Sequence, residues 1–308
     1  SSKNRFVKFV TLMKQIILLL LLFSFQISFS QFLNRAELSV SENGIIIENP
    51  LTGGLNSCQF SEIDLNNDNI KDLFVFDRTG NRILPFVCTM ENNVANYNYS
   101  AQYIKNFPKF DSWVLLVDYN CDNKSDIFTY NQSYVQVYLN TSTDDTLSFE
   151  LTKEALISDY TSIVSPIFIS YVDIPSIIDV DNDGDLDILT FQQSGGNIEY
   201  HQNQSMELYG NCDSLVFELK TDCWGNFFEG LNSYDFNSCN EETTIQPLIS
   251  ESRSSSHSGS SLLAIDIDAD NDKDILLGDV SFNNINLLTN GGTIQEANMI
   301  EANQQFPI

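Results

Sequence analysis

The sequence predicts an all-β fold, a β-propeller of which about four blades are present. Three observations predict it: four segments of the chain align with one another without gaps, each pairs short apolar runs across an aspartate-rich loop, and their spacing suits a four-stranded unit.

The first thirty residues stand outside that pattern and read as a secretory signal peptide. Ile16 to Phe23 form an unbroken apolar run, with Lys3, Arg5, Lys8 and Lys14 before it. Ser28 and Ser30 occupy the small-residue places of a cleavage site ahead of Gln31. The run is shorter than the ~20 residues that span a bilayer. Met13 is the expected true start, and no other segment could cross a membrane. The expectation is a secreted or cell-surface protein with no membrane span after cleavage.

The formal charge is −27, and it becomes −31 once the four positive charges of residues 1–30 are removed. Such a surface repels nucleic acid and anionic lipid and favours divalent cations. The cysteines are Cys58, Cys88, Cys121, Cys212, Cys223 and Cys239. In an exported chain they point to disulfides, and with no CxxC pair a zinc site is not expected. The sequence does not choose among the possible pairings.

The aligned segments are Asp64–Asp72, Asp118–Asp126, Asp179–Asp187 and Asp266–Asp274, sharing Asp-x-[Asp/Asn]-x-Asp-[Gly/Asn]-x-x-Asp. Before each first Asp stands a β-branched apolar residue: Ile63, Val117, Ile178 and Ile265. After each last Asp comes a strand-like run, then a turn such as Thr79-Gly80-Asn81 or Ser194-Gly195-Gly196, then a third run marked by Ile83, Val135, Ile198 and Ile285. Those markers lie 11, 9, 11 and 11 residues past the final Asp, so only the second turn is shortened. Asn140, Asn203 and Asn290 close the third run at matching places, with Cys88 in the same slot of the first repeat. First aspartates recur after 54, 61 and 87 residues, and ~50–60 residues per all-β unit suits a blade of four strands. The long third interval implies an insertion at about residues 205–261, whose Ser252–Ser261 end reads as a flexible loop.

Calcium takes six to eight oxygens at about 2.3–2.6 Å, and carboxylates at alternate positions of a tight loop converge on one point. The expected ligands are Asp64, Asn66, Asp68, Ile70 and Asp72; Asp118, Asn120, Asp122, Lys124 and Asp126; Asp179, Asp181, Asp183, Asp185 and Asp187; and Asp266, Asp268, Asp270, Asp272 and Asp274. The position-seven residues (Ile70, Lys124, Asp185, Asp272) would offer backbone carbonyls. Position six must turn sharply, which Gly184 does best and Asn69, Asn123 and Asn271 tolerate. An EF-hand would need Glu at position twelve, where Val75, Thr129, Thr190 and Leu277 stand inside strand-like runs. The cage must therefore close at position nine. Up to four structural calcium ions are expected, the third and fourth sites binding more tightly because Asn66 and Asn120 remove a charge from the first two.

The loop followed by a strand resembles the FG-GAP/VCBS repeats of integrin-α-like propellers, best at Ile178–Leu189 and in Gly195-Gly196-Asn197-Ile198-Glu199-Tyr200. The resemblance covers roughly Phe60 to Gly292 apart from the insertion. The Ser30-Gln31 junction and the asparagine-rich composition resemble exported Bacteroidota proteins, which implies a cargo of type IX secretion. Such propellers close with about seven blades, so the resemblance implies an incomplete propeller, an N-terminal fragment of a longer protein.

No GxSxG, GxGxxG, GxxxxGK[ST] or HExxH motif is present, and the conspicuous carboxylate pairs fall in the calcium loops. His201 reads as a surface or edge residue, and His257 lies in the Ser-rich stretch. Trp113 reads as core, whereas Trp224 is the better candidate for an exposed contact. The expected function is a non-catalytic binding or adhesion module for a cell-surface glycan or protein. The alternatives are an ancillary domain of a longer polysaccharide-degrading enzyme and a purely structural surface protein.

Overall fold

The computed structural model describes residues 39–50, 52–53, 55–144, 146–239 and 259–307. The signal peptide read at residues 1–30 and His257 lie outside them. The chain divides into two units, Ser1–Ile47 and Glu48–Ile308. The described part of the first is a hairpin of β1 (Val40–Glu42) and β2 (Ile45–Ile47), turned at Asn43 and Gly44 with φ of 51° and 80°. A two-residue hairpin turn requires that left-handed backbone.

The second unit is all-β, with four blades in a propeller arrangement. Blade 1 is β3 (Cys58–Ile63), β4 (Asp72–Asp77), β5 (Arg82–Glu91) and β6 (Val94–Tyr99). Blade 2 is β7 (Val114–Val117), β8 (Asp126–Asn131), β9 (Tyr134–Asn140) and β10 (Phe149–Lys153). A hairpin of β11 (Ile157–Asp159) and β12 (Val164–Pro166) follows. Blade 3 is β13 (Ser176–Ile178), β14 (Asp187–Phe191), β15 (Ile198–Asn203) and β16 (Phe217–Thr221), with a one-turn helix α1 (Ser205–Tyr209) before β16. A second hairpin, β17 (Phe227–Gly230) and β18 (Ser233–Phe236), precedes blade 4. Blade 4 is β19 (Ser260–Ile265), β20 (Asp274–Asp279), β21 (Ile285–Asn290) and β22 (Met299–Phe306).

The repeat sets this geometry. In all four blades the apolar residue before the loop pairs with the closing Asp: Ile63 with Asp72, Val117 with Asp126, Ile178 with Asp187 and Ile265 with Asp274. The acidic loop is thus the hairpin connection between the first two strands of each blade. The shortened second turn is Gln132-Ser133, both at positive φ (49° and 74°), a two-residue connection between β8 and β9.

Successive strand residues point to opposite faces, so a sheet sandwiched between two others must be apolar on both. Ile127 enters the core between blades 1 and 2, with Ile63, Phe74 and Val114, while Phe128 enters the next core, with Trp113 and Ile188. Leu189 then faces the third core, with Phe191, Leu262, Ile275 and Leu288. The inner strands β3, β7, β13 and β19 together line a groove of about 380 Å³.

Four details differ from the sequence expectations. The segment read as an insertion at about 205–261 begins by completing blade 3, because β16 pairs with β15. Ser260 and Ser261, assigned to the flexible loop, begin β19. Trp224 is not an exposed contact: it is 5% exposed and packs with Phe227 in the core between blades 3 and 4, where the β17–β18 hairpin covers it. His201 is not on an edge either. The β11–β12 hairpin extends blade 3 outward, β11 pairing in parallel with β16. His201 is fully buried there, its Nδ1 2.9 Å from Ser158 Oγ and its Nε2 3.2 Å from Glu199.

Cys121 pairs with Cys212 and Cys223 with Cys239, leaving Cys58 and Cys88 as thiols. Disulfides of this kind suggest an extracellular environment. No helix among the described residues is long and apolar enough to cross a membrane.

Candidate metal centres

Each acidic loop folds around its own carboxylates. The first Asp accepts the N–H groups of positions five and six, as in Asp64 with Asp68 (3.2 Å) and Asn69 (2.8 Å). The same pairs recur at Asp118, Asp179 and Asp266. The Asp at position five accepts the N–H of position seven, at 2.8 to 3.0 Å in the four loops. Position six is left-handed throughout: Asn69, Asn123, Gly184 and Asn271 have φ of 64°, 67°, 105° and 79°. Position four is left-handed too, at Asn67, Cys121, Asn182 and Ala269. That second reversal was not legible, because cysteine and alanine do not announce it.

The closing Asp has a role the sequence did not reveal. Each is the first residue of its blade's second strand, and each uses both oxygens to accept backbone N–H groups. Asp72 takes Leu65 (2.8 Å) and Cys88 (2.7 Å); Asp126 takes Tyr119 (3.2 Å) and Asn140 (2.7 Å). Asp187 takes Val180 (3.0 Å) and Asn203 (2.8 Å); Asp274 takes Ile267 (3.0 Å) and Asn290 (2.8 Å). The matched Asn/Cys slot of the repeat is therefore the place where the third strand docks on this carboxylate. Asn140, Asn203 and Asn290 also turn their amides onto the carbonyls of Ser125, Ser214 and Lys273. Cys88 has no such amide, and β5 runs past it to Glu91.

The geometry brings together part of the expected ligand set. Asp179, Asp181 and Asp187 each place a carboxylate oxygen within 4.8 Å of the others, as do Asp266, Asp268 and Asp274. Loops 1 and 2 have Asn66 and Asn120 at the third position, so their acids do not complete such a triad. Lys124 lies in loop 2 and donates from Nζ to the Ser142 carbonyl at 2.9 Å.

Whether a cation fits can be judged from the acceptors left bare. Asp181 Oδ1, Asp183 Oδ2, Asp185 Oδ1 and Asp272 Oδ1 are buried with no hydrogen-bond partner among the described residues. All four lie in loops 3 and 4. A buried carboxylate oxygen without a donor is strongly unfavourable, and a hard cation is the group that satisfies it. Among the described residues no lysine or arginine forms an ion pair with a loop aspartate. Burial pushes Asp187 up to about 8 and Asp126 up to about 7, the backbone N–H groups offsetting part of the cost. Burial also raises Asp183 and Asp272 to about 6, with neighbouring acids adding to the shift.

Sequence reasoning missed three residues at loop 3. The Tyr200 hydroxyl donates to Asp187 (3.2 Å) and Asp181 (3.4 Å), and the Gln202 amide donates to Asp181 and Glu207. Tyr200 and Gln202 follow the strand alternation that points them at the loop; nothing in the repeat marks Glu207.

Four blades, each with an acidic hairpin loop between its first two strands, define a propeller of repeated units. Residues 118–190, from the first Asp of loop 2 through loop 3 into β14, match the model of the FG-GAP-like repeat. Repeats of this kind commonly bind calcium. No curated protein matches the chain.

Proposed function

We propose that the chain is a secreted β-propeller module, held together by up to four calcium ions, that binds a glycan or protein at a cell surface and performs no catalysis of its own. The observation that carries the calcium reading is the set of buried, unpaired carboxylate oxygens in loops 3 and 4. The ions are structural on this reading, because each loop joins two strands of one blade. Asn66, Asn120 and Lys124 lower the negative charge of loops 1 and 2, so those sites are the weaker pair. The signal-like N-terminus, its Ser30-Gln31 junction and the two disulfides support export, with type IX secretion as the route.

A cleft of about 500 Å³ between blades 3 and 4 offers a place for a ligand. Its lining includes Tyr200, Gln202, Lys220, Trp224 and Glu296, and Asp181 links it to loop 3. Such a mixture of apolar lining and hydrogen-bonding groups suits a sugar ring or a polar peptide. Glycan-array and matrix-protein binding by the whole chain, with calcium and with chelator, tests this. Calcium-dependent binding weakened by Lys220→Ala is the expected result, and no binding under any calcium condition overturns it.

A further inference from the structure

We propose that loop 3 holds a second cation, adjacent to the one expected within the loop, with Glu207 of α1 as a ligand from outside the repeat. The inference rests on the calcium reading above. Asp181, Asp183 and Glu207 bring one carboxylate oxygen each to within 4.8 Å of one another. This triad is distinct from Asp179, Asp181 and Asp187, and Asp181 belongs to both.

The independent observation is Asp185. Its side chain is 1% exposed, and its Oδ1 has no partner. Its Oδ2 accepts the N–H of Met206 at 2.8 Å, which fixes the carboxylate against the residue that precedes Glu207. Among the like charges acting on Asp185, Glu207 is the strongest and Asp181 the next. A bare, buried oxygen thus sits on the carboxylate whose other oxygen is anchored next to Glu207, and Asp272 of loop 4 carries a bare oxygen at the same position. Two triad members add bare oxygens of their own, Asp181 Oδ1 and Asp183 Oδ2.

Glu207 adds a sixth carboxylate to the five of loop 3, Asp179, Asp181, Asp183, Asp185 and Asp187, whereas loop 4 has its own five alone. Gln202 spans the pair that would be shared, its amide donating to Asp181 and, at 2.8 Å, to Glu207. Its own carbonyl accepts from Gln204 at 3.0 Å, which fixes the direction of that amide. Loop 4 supplies the contrast. Asp272 matches Asp185, but four residues after Asn290 stands Ile294, where four residues after Asn203 stands Glu207. Among the described residues loop 4 forms one triad only. The triad of Asp181, Asp183 and Glu207 offers carboxylate oxygens alone, the ligand set of calcium rather than of a softer metal.

The test is the number of calcium ions bound by the whole chain, counted by equilibrium dialysis with metal analysis. Glu207→Gln is expected to bind one ion fewer than the parent, with the remaining ions held at unchanged affinity. Asp270→Ala should remove one ion from either background, which shows that loop 4 is independent. Circular dichroism checks the fold; should Glu207→Gln not fold, the shorter Glu207→Asp, whose carboxylate falls short of the triad, is read in the same way. An unchanged count overturns the second site, and so does an unchanged count with one weakened ion, because Glu207 would then serve the single loop ion. A parent that binds calcium but shows no effect of Glu207 sinks this inference alone, whereas a parent that binds none sinks the calcium reading with it.

Discussion

The carboxylate of Asp187 accepts the backbone N–H of Asn203 at 2.8 Å, joining the first residue of β14 to the last residue of β15. With its other oxygen on Val180, this one side chain ties the ends of three successive segments of blade 3. Asp187 is fully buried. It is therefore a latch as well as a candidate ligand, and the two roles separate experimentally. Asp187→Ala leaves two buried N–H groups unpaired, at about 1–3 kcal/mol each. The variant should lose about 2–6 kcal/mol of stability in chelator and more in calcium. Asp270→Ala, at an exposed loop position that accepts the Asp272 N–H, should lose little stability in chelator and clearly more when calcium is present. Urea unfolding of both variants in the two buffers decides this; an Asp187→Ala loss confined to calcium would refute the latch.

Removal of calcium should lower the melting temperature. A site with a Kd of ~10 μM in ~1 mM calcium contributes about 2.7 kcal/mol. For a unit of this size about 1 kcal/mol corresponds to about 2–4 °C, so even one filled site is worth roughly 5–10 °C. Stepwise chelation should empty loops 1 and 2 before loops 3 and 4. Thermal melts with calcium and with chelator that superimpose would show that the bare oxygens of loops 3 and 4 are satisfied by water or protons instead.

The parts of the fold written as local chemistry were legible in the sequence. Ile63, Val117, Ile178 and Ile265 marked the ends of the first strands, and the closing aspartates marked the starts of the second, because a hairpin repeat stamps both sides of its loop. The apolar pairs Ile127-Phe128 and Ile188-Leu189 were visible as strand-like runs for the same reason: each sheet is covered on both faces. What depended on distant pairing was not legible. β16 lies beyond α1 and outside the repeat register, and β11 joins blade 3 from a stretch of chain preceding it. His201 and Trp224 were misplaced in consequence, since each is buried by one of these additions. Glu207 reaches loop 3 only because α1 follows β15 directly, a tertiary fact with no motif.

Acidity should stabilise the calcium-free protein and weaken the calcium-bound one. Burial holds Asp187 at about 8 and Asp126 at about 7, while both return to the ordinary value near ~4 on unfolding. Between those values the folded chain binds protons that the unfolded chain has released, so stability without calcium falls as the pH rises from about 4 to about 8. Calcium displaces those protons, and in its presence the trend should reverse across the same window. Urea midpoints at pH 5 and pH 8, each with calcium and with chelator, should therefore cross. A chelated protein equally stable at both pH values would show that these carboxylates are ionised in the folded state.

The two disulfides should differ in what they contribute. Cys121 occupies the left-handed fourth position of loop 2, and its sulfur lies 3.9 Å from the carbonyl oxygen of Gly184 in loop 3. Its partner Cys212 follows α1, so the bridge closes a sequence separation of 91 and ties blade 2 to the chain that carries Glu207. Cys223–Cys239 closes a separation of only 16, around the β17–β18 hairpin. Restriction of the unfolded chain grows with the logarithm of the closed length, from about 3 kcal/mol for a loop near the shorter span to between 4 and 5, roughly, near the longer. Replacing Cys121 and Cys212 together by Ser should then cost about 1–2 kcal/mol more than replacing Cys223 and Cys239. It should also weaken calcium binding at loop 3, because the bridge anchors the segment between α1 and β16 against the neighbouring loop. Denaturant unfolding of the two double variants gives the order. A larger loss from the shorter bridge would mean that packing of the β17–β18 hairpin over Trp224, rather than chain length, sets the contribution.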